Sequence, residues 1–571
     1  MKASDTAWLA ISLLALSGVA VAQDKPQSRI HMVIQGTKGT RFKTILPATT
    51  PMKAPTQPQM PPVPEVPTPA QLPVSSSDRP TDFGPVPDVV VRLDKGDLGG
   101  ERLPDRSYVF KAVPFAAPPV GNLRWRAPQD VSEWLGVRFR KESAPGCMQN
   151  SYGWNEAIAK TSAEDCLYLE LRTHSFDPDA KKPVMVFLHG GANRAGAASG
   201  TVYSALGEKD VVLVSLQYRL GVFGFLSHPA LTSESGHQAS GNYAVLDLIK
   251  ALQWLKANVA RFGGDPDNIT IFGHSAGGQD VGLLLATPLS RGLFARAIEE
   301  SGTPQFGFAS RSLTQNEGIG VELAKQVSAS APDSAQALAD LRRAPAAALQ
   351  AAGDGLKAPL EDQSFIWDQV VVDGYVLPKS PHDIFKAGEG AKVPLIVGVS
   401  ARELGLSDVN SSVYGAIQTR FGPNRFKALG FYGLDIRTDP KSDPLLGDVA
   451  TQLSTDIMLR CPAVWLADEL TKAGQQVWLY QLDVDAADGP VHHGSELSFV
   501  FNPRPSGPNA KTWPPLMDYW AQFAKSGDPN GRGLPDWRDY GKAGRYIEFT
   551  AKGAKADKGL RTPICTLLDR P

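Results

Sequence analysis

Cysteine and histidine are scarce in this chain, four and nine among 571 residues. There is no C-x-x-C pair and no His/Cys cluster with zinc spacing, so no metal site is indicated and no motif asks for a cofactor. Neither sign of charge dominates, with 58 Lys and Arg against 59 Asp and Glu. Without a basic stripe, nothing asks for nucleic acid or an acidic membrane surface as partner. No apolar run reaches the ~20 residues that a membrane span requires. Internal repeats are absent too, and nothing fixes an oligomeric state.

The N-terminus reads as an export signal over residues 1–22. Lys2 supplies the positive start, Ala7 to Leu16 the short apolar stretch, and Ala20-Val21-Ala22 the cleavage site. Asp5 is the one untidy residue in it. The expected location is secreted or periplasmic. In that setting an even number of cysteines, Cys147, Cys166, Cys461 and Cys565, points to disulfides, with three pairings open. Residues 23–88 form an extension. From Pro47 to Pro87 roughly a third of it is proline, against ~5% in ordinary chains, so it cannot build a core. The folded body is expected over residues 89–571.

Within that body short apolar runs alternate with amphipathic stretches. Val184 to Leu188, Val211 to Leu216, Ile269 to Phe272 and Pro394 to Val399 fit strands buried on both faces. Tyr243 to Val259 places Val245, Leu248, Ile249, Leu252 and Leu255 at helical spacing. The alternation predicts an α/β fold with a large, mostly parallel central sheet flanked by helices.

Two glycine motifs follow buried strands. Gly273-His274-Ser275-Ala276-Gly277 is G-x-S-x-G between a strand and the helix-compatible segment Val281 to Ala286, the setting of a nucleophile elbow. His189-Gly190-Gly191-Ala192 follows Val184 to Leu188. A glycine-rich turn there can aim two backbone N–H groups at one point, as stabilisation of an oxyanion requires.

The sequence resembles the type-B carboxylesterase/lipase family, the cholinesterase-like α/β-hydrolases. The likeness rests on Phe115-Ala116-Ala117-Pro118-Pro119-Val120-Gly121, Glu164-Asp165-Cys166-Leu167-Tyr168-Leu169, both glycine motifs, Tyr218-Arg219-Leu220-Gly221, Phe262-Gly263-Gly264-Asp265-Pro266 and Gly527-Asp528-Pro529-Asn530. It implies a serine carboxylesterase acting on a small-molecule ester, with Ser275 as nucleophile, Glu403 as the acid and His493 as the base. Asp408 is the rival acid and His492 the neighbour to exclude. The resemblance further implies oxyanion donors at Gly191, Ala192 and Ala276, disulfides Cys147–Cys166 and Cys461–Cys565, an ion pair Arg124–Glu164, and a buried Ser301 beside the acid. A lipase, an amidase or a xenobiotic-ester hydrolase would share this machinery, and a non-catalytic binding protein would lack it.

Five residues bear on the substrate. His274 stands where the family usually has glutamate, and Ala192 and Asn193 replace a glycine and an aromatic. The loss of the glutamate argues against a choline ester. Trp154 lies in the Cys147–Cys166 loop without the spacing of a choline-stacking residue. Arg194, two residues from an oxyanion donor, carries the expectation of a preference for anionic esters, set against the plainer reading of a solvated arginine.

Overall fold

A computed structural model describes residues 85–328, 330–356, 366–405, 412–435, 442–487, 489–506 and 512–568. The export signal, nearly all of the proline-rich extension and Asp408 lie outside the described residues.

The strands are β1 (Val89–Leu93), β2 (Gly96–Arg102), β3 (Tyr108–Pro114), β4 (Val137–Arg138), β5 (Tyr168–Thr173), β6 (Lys182–Leu188), β7 (Val212–Leu216), β8 (Gly264–His274), β9 (Arg296–Glu300), β10 (Arg311–Ser312), β11 (Val371–Val372), β12 (Leu395–Ser400), β13 (Val477–Leu482), β14 (Arg545–Thr550) and β15 (Gly553–Lys558). All but β10 and β11 join one sheet, in the order β1-β2-β3-β5-β7-β6-β8-β9-β12-β13-β14-β15, with β4 beside β2. Pairing is parallel from β7 through β14 and antiparallel along the rest of that order, while β4 runs parallel to β2. This is the α/β-hydrolase architecture.

The apolar strands are explained by burial on both faces. In β6, Val184, Val186 and Leu188 enter one core, and Met185 and Phe187 enter the other. Helix α1 (Tyr243–Asn258) brings Leu248, Leu252 and Leu255 to the first. The second receives Leu516, Trp520 and Phe523 from a helix of the opposite layer, Leu516–Ser526. The expected strand and helix positions stand, with ends displaced by a few residues.

β7 and β8 lie on opposite sides of β6, so the winding reverses there. Ligand crevices of open α/β sheets form beyond the carboxyl ends of the strands at such a reversal. Leu188 of β6 pairs with Gly273 of β8, so the two glycine motifs emerge side by side at that point.

Candidate active site

Helix α2 (Ala276–Ala286) begins one residue after β8 ends. Ser275 occupies the corner with φ 58° and ψ −126°, a conformation unfavourable for any residue with a side chain. Its N–H donates to Glu300 O at 2.9 Å. Strand and helix pass so closely that a Cβ on Gly277 would lie 2.1 Å from Leu188 O, and one on Gly273 2.5 Å from Gly277 O. Only glycine fits either side of the serine.

Two further segments converge on Ser275. His493 Nε2 lies 2.8 Å from Ser275 Oγ, and His493 Nδ1 lies 2.6 Å from Glu403 Oε2. All three side chains are buried. His492 turns elsewhere, its Nδ1 meeting Ser495 Oγ at 2.5 Å beside Asp485. Burial pulls the His493 pKa down, but the charge and hydrogen bond of Glu403 outweigh it and hold the pKa above the usual 6.5.

Glu403 is fixed from several sides. Ser400 N–H donates to its Oε1 at 2.7 Å, and Ser301 Oγ donates to the same oxygen at 2.8 Å. Its own N–H donates to Thr455 Oγ1 at 3.1 Å. Thr455 precedes a π-helical turn, Asp456–Arg460, whose Arg460 donates to Ala401 O at 2.6 Å. Departures from α geometry of this kind often serve to place functional groups.

Glu496 is a site residue that the sequence reading left without a role, although it stands three residues after His493. It is fully buried, accepts from Ser400 Oγ at 2.9 Å, and meets Ser301 Oγ through its Oε1. The Ser301 hydroxyl has one proton and touches two carboxyl groups. Two ionised carboxylates would compete for that one proton, whereas a protonated Glu496 donating to Ser301 Oγ leaves it for Glu403. Burial and the charge of Glu403 raise the Glu496 pKa in the same sense. In that arrangement Glu496 donates to Ser301, Ser301 donates to Glu403, Glu403 accepts from His493 Nδ1–H, and His493 Nε2 accepts from the Ser275 hydroxyl.

The loop after β6 packs on the elbow: a Cβ on Gly190 would lie 3.0 Å from Ser275 Cβ. Among the described residues, the N–H groups of Gly191 and Ala192 are not spent on any backbone carbonyl. Ala276 opens α2, where N–H groups lack intrahelical partners and the helix dipole favours negative charge.

The disulfides are Cys147–Cys166 and Cys461–Cys565. Arg124 grips Glu164 through two contacts of 2.6 Å. Trp154 is half-buried. Arg194, also half-buried, lays its guanidinium over the Tyr152 ring at 4.4 Å, and the Tyr152 hydroxyl donates to Asp354 Oδ1 at 2.8 Å.

The Carboxylesterase family profile matches residues 87–419 and 427–568. Carboxylesterase 1C of Rattus norvegicus is 33% identical over 521 residues, 82% of this chain and 91% of that one. Fumonisin B1 esterase of Sphingopyxis macrogoltabida is 32% identical over 468 residues, 77% of this chain and 83% of that one. Fatty acyl-CoA hydrolase, medium chain, of Anas platyrhynchos is 32% identical over 500 residues, 78% and 85%. The chain belongs to the carboxylesterase family and is a carboxylic ester hydrolase.

Proposed function

We propose that this protein is an exported serine carboxylesterase working through Ser275, His493 and Glu403. The observation that carries the reading is the unbroken hydrogen-bonded path from Ser275 Oγ through His493 to Glu403, at 2.8 and 2.6 Å. His493 removes the Ser275 proton as Oγ attacks the ester carbonyl, and returns it to the leaving alkoxide so that an alcohol departs. Glu403 fixes the imidazole orientation and stabilises the imidazolium. The N–H groups of Gly191, Ala192 and Ala276 receive the oxyanion. Water, deprotonated by His493, then attacks the acyl-enzyme, the carboxylic acid leaves, and Ser275 recovers its proton from His493.

The export reading rests on the N-terminal pattern and is consistent with two disulfides, which persist in oxidising compartments. Arg194 supports a preference for anionic esters, because stacking on Tyr152 holds its cation two residues from Ala192. Hydrolysis of neutral and carboxylate-bearing esters by wild type and Arg194→Ala tests it, and an unchanged preference would sink the idea.

The decisive experiment is an ester panel with Ser275→Ala as blank. Loss of the serine is expected to lower kcat by ~10⁶-fold. A variant that matched wild type would end the proposal.

A further inference from the structure

The loop after β6 holds an uncommon backbone. Gly191, Ala192 and Asn193 have φ of 124°, 53° and 51°. Two adjacent non-glycine residues in the left-handed region are strained, and such strain persists only where the surroundings over-determine it. Part of the hold is backbone: Asn193 O accepts from Gly221 N at 2.6 Å. The rest passes through the Asn193 side chain. Its amide nitrogen lies 3.3 Å from Gln279 Oε1 and 3.5 Å from Asp280 Oδ1. Both partners stand about one turn beyond Ser275 on α2. Gln279 is fixed in turn by donating to Asp368 O at 2.6 Å.

Asn193 Oδ1 and Asp280 Oδ2 are both buried, with no hydrogen-bond partner among the described residues. The Tyr218 hydroxyl lies beside Asp280 but donates to His189 O at 2.5 Å, so an ionised Asp280 would leave two acceptors unsatisfied, at a cost that buried polar groups seldom bear. A single proton on Asp280 resolves both. The acid O–H would then donate to the amide oxygen, while the amide nitrogen, 3.5 Å from Oδ1, donates to the acid carbonyl. Burial and the neighbouring Asp368 push the Asp280 pKa well above the carboxyl range, which agrees.

We propose that Asp280, as an un-ionised acid, pairs with the Asn193 amide to clamp the oxyanion loop onto helix α2, which makes both positioning residues. The inference rests on the Ser275 chemistry proposed above. Gly191 and Ala192 offer N–H groups from the loop, and Ala276 offers one from the helix. The three converge on one oxygen only while loop and helix keep a fixed relation, and the Asn193 side chain joins them.

The test is steady-state hydrolysis of p-nitrophenyl acetate by five variants, with thermal midpoints recorded for each: Asp280→Asn, Asp280→Ala, Asn193→Ala, Asn193→Gly and Ser275→Ala. An amide at 280 keeps the shape and supplies a donor in the same place, so Asp280→Asn is expected to retain kcat within ~3-fold. Asp280→Ala and Asn193→Ala are expected to lose ~10–100-fold in kcat with KM nearly unchanged, because oxyanion contacts strengthen only in the transition state. Asn193→Gly relieves the strain but lacks the clamp, so it should fall with Asn193→Ala. Wild-type activity in Asn193→Gly would overturn the proposal. So would an Asp280→Asn protein that folds and is as impaired as Asp280→Ala, or a loss confined to KM. Turnover retained in Ser275→Ala would instead bring down the underlying reading and leave the clamp without a function to serve.

Discussion

The imidazole of His274 lies against that of His493, with ring centroids 4.6 Å apart and planes tilted by 44°. Burial, with His493 and His492 nearby, pushes the His274 pKa well below 6.5, so a neutral ring faces the proposed base. Its Nε2 is 3.9 Å from Glu496 Oε1, beyond hydrogen-bond reach. A cation there would oppose the imidazolium that catalysis forms, and an anion would favour it.

In the proposed mechanism His493 must be neutral to take the serine proton. The kcat/KM of the wild type should therefore fall as pH drops through a pKa above 6.5. Placing a carboxylate against His493, as in His274→Glu, stabilises its protonated form. The acid limb of kcat/KM should move upward by ~1–3 pH units, whereas His274→Gln should leave it in place. An unmoved limb in the glutamate variant would rule out electrostatic coupling between the two positions.

The proton inventory at Ser301 gives a second prediction. A glutamine at 496 still donates to Ser301 Oγ and still accepts from Ser400 Oγ, so Glu496→Gln should keep nearly full activity. Glu496→Ala removes both contacts and strands two buried hydroxyls, a loss of about 1–3 kcal/mol, or up to ~100-fold in kcat if it falls on the transition state. If the glutamine variant is damaged as severely as the alanine variant, Glu496 is ionised in the wild type and the inventory is wrong.

These contacts mark where the sequence was legible. Ser275 could be read from its own neighbours, because the elbow demands glycine on both sides and a strand before it. The strands were legible for a similar reason, since burial on both faces leaves an unbroken apolar run. His493 and Glu403 had no such local signature. They meet Ser275 across chain separations that no periodicity encodes, and only the family resemblance pointed to them. Glu496 stands three residues after His493, but its role depends on Ser301, 195 residues away. The Asn193–Asp280 contact was not legible at all, because each residue alone reads as an ordinary polar one.

Burial also raises acids that the mechanism does not use. Glu300 faces Trp520 Nε1, and burial pushes its pKa up to about 8. The unfolded chain releases this proton near its ordinary 4.5, while the folded chain keeps it until about 8. Stability should therefore decline as pH rises through that window, by at most ~1.4 kcal/mol per pH unit from this group, and level off above it. Glu300→Gln keeps an acceptor for Trp520 and should flatten the slope. Urea midpoints at pH 5.5 and 7.5 decide it: a variant with the wild-type pH slope would show that Glu300 is ionised in the fold.

The late disulfide should matter twice. In the chain-entropy view, closing the 104-residue separation of Cys461–Cys565 contributes about 4–5 kcal/mol, and the 19-residue separation of Cys147–Cys166 about 3 kcal/mol. Cys461 directly follows the π-turn Asp456–Arg460, and Arg460 holds the carbonyl of Ala401, two residues before Glu403. Replacing Cys461 and Cys565 by serine should lower the urea-derived stability more than replacing Cys147 and Cys166. It should also lower kcat below the unfolding transition, because the turn that carries Glu403 loses its anchor. Equal kcat in the two double variants would show that the π-turn holds Glu403 without the disulfide, through Arg460 and Thr455 alone.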